Sequence, residues 1–312
     1  MGNDFAESAR QSYVVMKNEI KKYFSGKRML VFAILLAVIV FVITVAPYIF
    51  GSKANPVYFY MLAQLVVLMA ATLFASISVV SEYEERTALI VFTRPIRKGS
   101  IFIGKVLACI ILTVAFTILY YIIAAIVGLC VNGSIDADIL TSLGLACAYA
   151  FGAIGVAVLI SSLMKKGSTS TIITFVVLAI IVVAMSMVLN AANVDSSFMI
   201  DQSADSIMTC SQEYRDMTNE ALKKIYEDLM TPSKFVKFDI YELVLAQPGV
   251  TAAMLESALD PTKGAWTLAE VIGDFSTIEV KAPDYGHDAI VMLMWGLIGL
   301  IGGFVAFIRR EF

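Results

Sequence analysis

The sequence predicts an all-α integral membrane protein: six transmembrane helices, an amphipathic N-terminal interfacial helix, and a helical extracellular insertion between helices 5 and 6. Three observations carry that fold class. Six apolar stretches are each long enough to cross about 30 Å of hydrocarbon, for which roughly 20 helical residues suffice. Apart from Lys53, which lies alone between the first two, the bases close to them fall mostly in four segments that belong to one side. Most of the acid, 17 of 26 Asp and Glu, lies between the fifth and sixth stretches. With 59% hydrophobic residues, 16% charged residues and a mean hydropathy of +0.82, the chain stands far from ordinary soluble composition. A soluble helical core would need a polar face on each helix, and these stretches mostly lack one.

Residues 1–28 read as a cytoplasmic leader. Tyr13, Met16, Ile20 and Tyr23 or Phe24 recur at helical spacing, while Arg10, Lys17, Lys21 and Lys22 lie mostly elsewhere on the wheel. This predicts a helix in the inner interface, with its apolar stripe in lipid and Lys17 among anionic headgroups. Ser25-Gly26 supplies a hinge into the membrane. Residues 29–189 then hold five spans, Met29–Phe50, Tyr58–Ser81, Ile101–Val131, Ile139–Leu163 and Thr169–Leu189. None contains Asp, Glu or His, and only Lys105 interrupts one, where its stem can snorkel to the interface.

Local features refine the spans. Pro47 predicts a kink or an end to the first. The third apolar stretch is too long for one perpendicular crossing, so it must tilt, break or project. In the fourth, Gly144, Ala148 and Gly152 recur every four residues and predict close backbone packing; Gly296, Gly299, Gly302 and Gly303 do so in the last. The fifth opens with a hydroxyl run, Ser168 to Thr171, able to bond a neighbouring helix.

Residues 190–288 carry 17 acids against 7 bases and read as an extracytoplasmic acidic helical cap. Ile207, Cys210, Tyr214, Met217, Ala221, Ile225 and Leu229 mark one face of a long amphipathic helix, followed by shorter helices over 236–247, 251–259 and 266–272. Residues 289–312 supply the sixth span and a basic tail. Bases cluster in the leader, in the second-to-third and fourth-to-fifth loops, and in the tail. The chain is therefore expected in the cell (plasma) membrane as a multi-pass protein with both termini cytoplasmic.

No catalytic set or metal site is visible. His287 is the only histidine, which excludes histidine metal clusters and a histidine-relayed nucleophile. Asp284, His287 and Asp288 read as a solvated cluster. The run from Gly99 to Val106 imitates a phosphate loop, yet Val106 stands where Ser or Thr should hold magnesium. The four cysteines read as unlinked thiols, with a Cys130–Cys210 bridge the alternative. The bases are accounted for by topology, so no nucleic acid partner is expected; the partner the composition demands is the lipid membrane.

The second-to-third connection, residues 82–100, carries the remaining information. Glu82, Glu84 and Glu85 open it, an apolar run from Thr87 to Phe92 fills it, Pro95 stops that run, and Arg94, Arg97 and Lys98 close it. An apolar loop bounded by charge reads as a docking surface. The run from Glu85 through Thr87, Pro95 and Arg97 to Gly104-Lys105 resembles the cytoplasmic signature of ABC-2-type permeases, the membrane subunits of ATP-binding cassette exporters. Arg86 stands where that pattern has glycine.

The resemblance implies a permease subunit that exports an unidentified substrate and is not itself an enzyme. It implies cytoplasmic ABC ATPase subunits as partners, gripped through the leader and the coupling loop, and a second permease subunit in a homodimer or heterodimer. Glu82, Glu85, Arg86, Thr87, Pro95 and Arg97 would be the ATPase contacts. This chain would hold no cofactor; ATP and magnesium would belong to the partner ATPase. The resemblance further implies that the second and fifth spans line the dimer interface and route. The alternative is a non-transporting membrane scaffold or assembly protein whose extracytoplasmic domain binds a partner.

Overall fold

The computed structural model describes residues 2–49, 55–81, 97–192, 194–229 and 280–309, and all regular structure among them is helical. Helix α1 is Gly2–Ser25, α2 Lys27–Ile49, α3 Val57–Ser78, α4 Lys98–Asn132 and α5 Ile139–Leu163. The next span is composite: α6, Gly167–Val176, passes through a π-helical turn, Val177–Ile181, into α7, Val182–Ala191. Two short helices follow, α8, Ile200–Ala204, and α9, Ser206–Thr209. Beyond them come α10, Gln212–Leu229, and α11, Tyr285–Arg309. The predicted elements over 236–247, 251–259 and 266–272 lie outside the described residues.

Among the described residues, 6 helices are long and apolar enough to cross a membrane: Arg28–Ile49, Val57–Ser78, Lys98–Asn132, Ile139–Leu163, Gly167–Asn190 and Tyr285–Arg309. The protein is an all-α, six-span membrane bundle. Its centre is α3, of which 67% is buried, against 17% for the first and fifth spans. Alanines at 63, 70, 71 and 75 let neighbours approach α3 closely, while Phe59 and Phe74 fill the space between them. Pro47 neither ends α2 nor stands at its boundary, since the helix runs on to Ile49. Of the three solutions open to the long third stretch, a break is ruled out, because α4 is one helix of 35 residues. It stops at Gly133, whose φ of 71° only glycine adopts readily; the Gly133 N–H donates to Leu129 O at 3.1 Å.

The tightest seam joins α5 to α11. A Cβ at Gly155 would overlap the Gly296 backbone, one at Gly299 would overlap Gly155, and one at Gly152 would stand 2.7 Å from Met292 O. With no hydrophobic drive between helices in lipid, this backbone contact is what association rests on. The seam differs from the spacing read in the sequence. Ala148 packs partly buried against the core, but Gly144 is exposed, with nothing within 4 Å of a Cβ placed there. At the other end of the bundle, the Thr171 hydroxyl lies 2.9 Å from that of Ser76, and Ser170 donates to Ser76 O. The hydroxyl run thus binds α6 to α3.

The chain divides into two compact units, Met1–Ser211 with Pro283–Phe312, and Gln212–Ala282. This corrects the long amphipathic helix expected from residue 207 to 229. Ile207 and Cys210, 0% and 1% exposed, belong to the bundle core, and helical structure lapses at Ser211 before α10 begins. The apolar period runs across that lapse, joining residues that belong to two different units. Within the second unit α10 carries an exposed Glu220–Lys224 ion pair at 2.8 Å, and Asn219 Oδ1 accepts the Val280 N–H at 2.8 Å.

Candidate functional site

Of the residues expected to contact an ATPase, Glu82, Glu85, Arg86, Thr87 and Pro95 lie outside the described residues; Arg97, at the loop's far end, does not. The structure describes both stems of the loop. The first stem leaves α3 through a break at Val79. There the Ser161 hydroxyl of α5 accepts the N–H groups of Val79 and Val80, each at 3.2 Å. Those donors would otherwise be orphaned in an apolar setting, a cost of about 1–3 kcal/mol.

The second stem is held by α1. Arg97 caps α4 in extended conformation, and its own N–H donates to Gln11 Oε1 at 3.4 Å. Its guanidinium Nη1 donates to Ser8 Oγ at 3.3 Å. Two turns further along, α1 crosses α4 at Gly104, where a Cβ would stand 2.7 Å from both Ser12 O and Val15 Cβ. Only glycine permits that crossing.

The adjacent Lys105 corrects a sequence expectation. Its ammonium does not snorkel outward: Nζ lies 2.7 Å from Glu19 Oε1, with the lysine 1% and the glutamate 13% exposed. Helix α1 lies over the entry of α4 and seals the ammonium from water, so the charge finds its partner in α1, 86 residues earlier. A pair buried to this degree adds little net stability, but removing one partner costs several kcal/mol.

One turn on, the Tyr23 hydroxyl donates to Phe74 O at 2.7 Å, and the Cys109 thiol donates to the same carbonyl at 3.5 Å. Burial, followed by the nearness of Cys109 and Glu19, holds the Tyr23 phenol well above its ordinary value, so it remains a neutral donor. The face of α1 turned to the bundle is therefore Ser12, Val15, Glu19 and Tyr23. Of the predicted stripe, Tyr23 rather than Phe24 lies on that face, and the rest lies beside it: Met16 and Ile20 are partly buried, Lys17 is exposed, and Tyr13 and Phe24 are 60% and 63% exposed.

Residues 13–312 match the protein family described as "ABC-2 family transporter protein". The chain belongs to the ABC-2 transporter family. No curated protein matches it. The family match begins inside α1 and takes in all six spans. An ABC-2-type permease is a transport subunit rather than an enzyme, and among the described residues no group of three or more His, Cys, Asp or Glu is placed to hold a metal ion.

The opposite end of the permease bundle is also polar. Tyr60 donates to Asp136 Oδ2 at 2.8 Å, and Gln64 donates to Asp201 Oδ1 at 3.3 Å. Asp284 caps α11, its Oδ1 accepting the N–H groups of Gly286 at 3.1 Å and His287 at 3.2 Å. His287 Nδ1 lies 3.3 Å from Asp288 Oδ1. All four cysteines are free thiols, with Cys130 exposed and Cys210 buried. Glu19 and Ser161 are the residues the sequence reading missed. The only signal for Glu19 was an acid among the bases of the leader's second half, at helical spacing from Ser12 and Tyr23.

Proposed function

We propose that this chain is the membrane-spanning permease subunit of an ABC transporter and couples ATP hydrolysis by a separate ATPase subunit to export of its substrate. The observation that carries the reading is the clasp between α1 and α4. Arg97 is tied to Ser8 and Gln11, and Lys105 to Glu19, so the leader and the coupling loop's second stem form one piece. Those are the two elements through which ABC-2-type permeases are expected to grip their ATPases. An ATPase pushing on either moves both, and Ser161 joins the other stem to α5.

In this reading both termini are cytoplasmic, residues 190–288 lie outside, and a second permease subunit completes the pathway. The spans carry few charges, which favours an amphiphilic or lipid-like cargo over an inorganic ion. Co-purification in mild detergent tests the proposal. The expected result is a bound soluble ATPase that Glu85→Ala with Arg97→Ala releases while the six-span bundle stays folded. Retention of the ATPase by that double variant removes the coupling assignment. Recovery of an outer partner through residues 195–284, with no ATPase at all, replaces the transporter with a scaffold.

A further inference from the structure

The fifth span is only 17% buried, so few contacts fix its rotation. Its polar fasteners sit towards its two ends. In α6, Ser170 donates to Ser76 O and the Thr171 hydroxyl lies 2.9 Å from that of Ser76, close to where α3 gives way to the loop that follows it. In α7, the Ser186 hydroxyl donates to Asp201 Oδ2 at 3.1 Å, while Asp201 Oδ1 accepts from Gln64 of α3 at 3.3 Å. Asp201 stands on a hook, residues 199–211, that sinks Ile200, Ala204 and Ile207 into the bundle core at 0–2% exposure.

Between the fasteners, the inward residues recur at every fourth position. Ser170, Thr174 and Leu178 are buried, Val182 packs partly buried against the core, and Ser186 is 1% exposed. An α-helix cannot hold that line. At about 3.6 residues per turn, each step of four overshoots a full turn by about 40°, so four steps carry Ser186 about 160° round from Ser170. The π-helical turn Val177–Ile181 lies inside this interval, and the Val182 N–H donates to Val177 O, five residues back. One such turn takes up one residue beyond the α-helical count, which removes about 100° of the overshoot. The remaining 60° or so fits within the roughly 100° width of a single helix face.

We infer that the surplus residue of the fifth span is a register device. It turns α7 so that one span fastens both to Ser76, at the loop end of α3, and to Asp201 of the hook, which is itself tied to Gln64 about three turns back along α3. The fifth span is thereby a strut between the start of the α3–α4 loop and the root of the segment that follows the hook. None of these contacts involves an ATPase, so either proposal stands if the other falls.

Cross-linking of the full-length chain in lipid nanodiscs tests this. Cys130→Ser and Cys147→Ala remove the two thiols that are not buried. Ser186→Cys with Asp201→Cys then reports the outer fastener, and Ser76→Cys with Thr171→Cys, in a separate variant, the inner one. Each pair is bridged by a two-carbon bis-methanethiosulfonate and read as loss of maleimide-labelled thiols. The hook keeps its remaining hold without Asp201, because Ser142 donates to Ile207 O at 2.7 Å. Both pairs should bridge in the parent. Deleting Ile180, an exposed member of the π turn, leaves a plain α-helix with the same rotation, so both should still bridge to within about twofold. Inserting one alanine after Ile180 turns α7 by about 100° and should cut the outer bridge at least about fivefold while sparing the inner one. The inference is overturned if the deletion abolishes the outer bridge, as it must in a span that is α-helical throughout, or if the insertion leaves that bridge intact. Loss of both bridges on deletion overturns it too, since removing a surplus residue costs the span no fastener. Should the insertion lose both, the deletion decides alone.

Discussion

Replacing Glu19 with alanine removes the carboxylate that lies 2.7 Å from the Lys105 ammonium, on a lysine side chain that is 1% exposed in the parent. Neither partner is exposed enough for water to absorb the loss, so the penalty falls in the range for a broken buried pair, about 3–5 kcal/mol. At about 1.4 kcal/mol per factor of ten, docking of α1 onto α4 should weaken by roughly two to three and a half orders of magnitude. Hydrogen exchange of the amides over residues 8–24 in lipid nanodiscs reads this directly. Exchange should quicken correspondingly, up to the limit at which the Gly104 crossing and the Tyr23 bond hold the helix unaided. Glu19→Leu combined with Lys105→Met exchanges the pair for apolar groups of similar volume and should restore protection to near the starting level. The reasoning is refuted if the single variant exchanges within about threefold of the parent. It is refuted too if the double variant is no better protected than the single, because the buried charge would then not be the cause.

Four further outcomes follow from the structure. Gly155→Ala puts a methyl into the Gly296 backbone and should destabilise the bundle by about 1–3 kcal/mol in detergent unfolding. Gly144→Ala, with nothing within 4 Å, should instead be neutral or stabilising by up to about 1 kcal/mol. Ser161→Ala should cost about 1–3 kcal/mol and show itself as faster exchange at the Val79 and Val80 amides, with α1 unaffected. Burial first, and then the charges of Asp201 and Asp288, push Asp205 up from 3.8 to about 7. Thermal stability of the bundle should fall as pH rises from about 4 towards that raised value, and Asp205→Asn should flatten the slope.

The spans were readable because hydropathy over about 20 residues has one dominant solution in lipid. The ends in the structure, such as Gly167–Asn190 against an expected Thr169–Leu189, differ by a few residues only. What could not be read was pairing between distant segments. Lys105 looked like a snorkelling lysine because nothing nearby in the chain announces Glu19, 86 residues away. The opposite error occurred around residue 210. A helical period there is continuous in sequence, but the chain uses its first members to plug the bundle and the rest to build a separate unit. Glycine spacing was informative only in part, since Gly144 and Gly152 occupy equivalent places in the pattern and opposite environments in the fold. Of the ATPase contacts read from the resemblance, Arg97 alone has a described setting, and it is bonded to the leader.

The unbroken α4 has a mechanical corollary. Its 35 residues measure about 52 Å at about 1.5 Å each, against about 30 Å of hydrocarbon. Even leaning at about 40°, the steep end of what membrane helices adopt, it would rise about 40 Å and leave roughly 10 Å standing in the headgroups or beyond. The end that α1 embraces, with Arg97 at its tip, is where the projecting turns have polar company. A rod of that kind has a handle. Torque applied outside the oil arrives on the far side without a joint to absorb it.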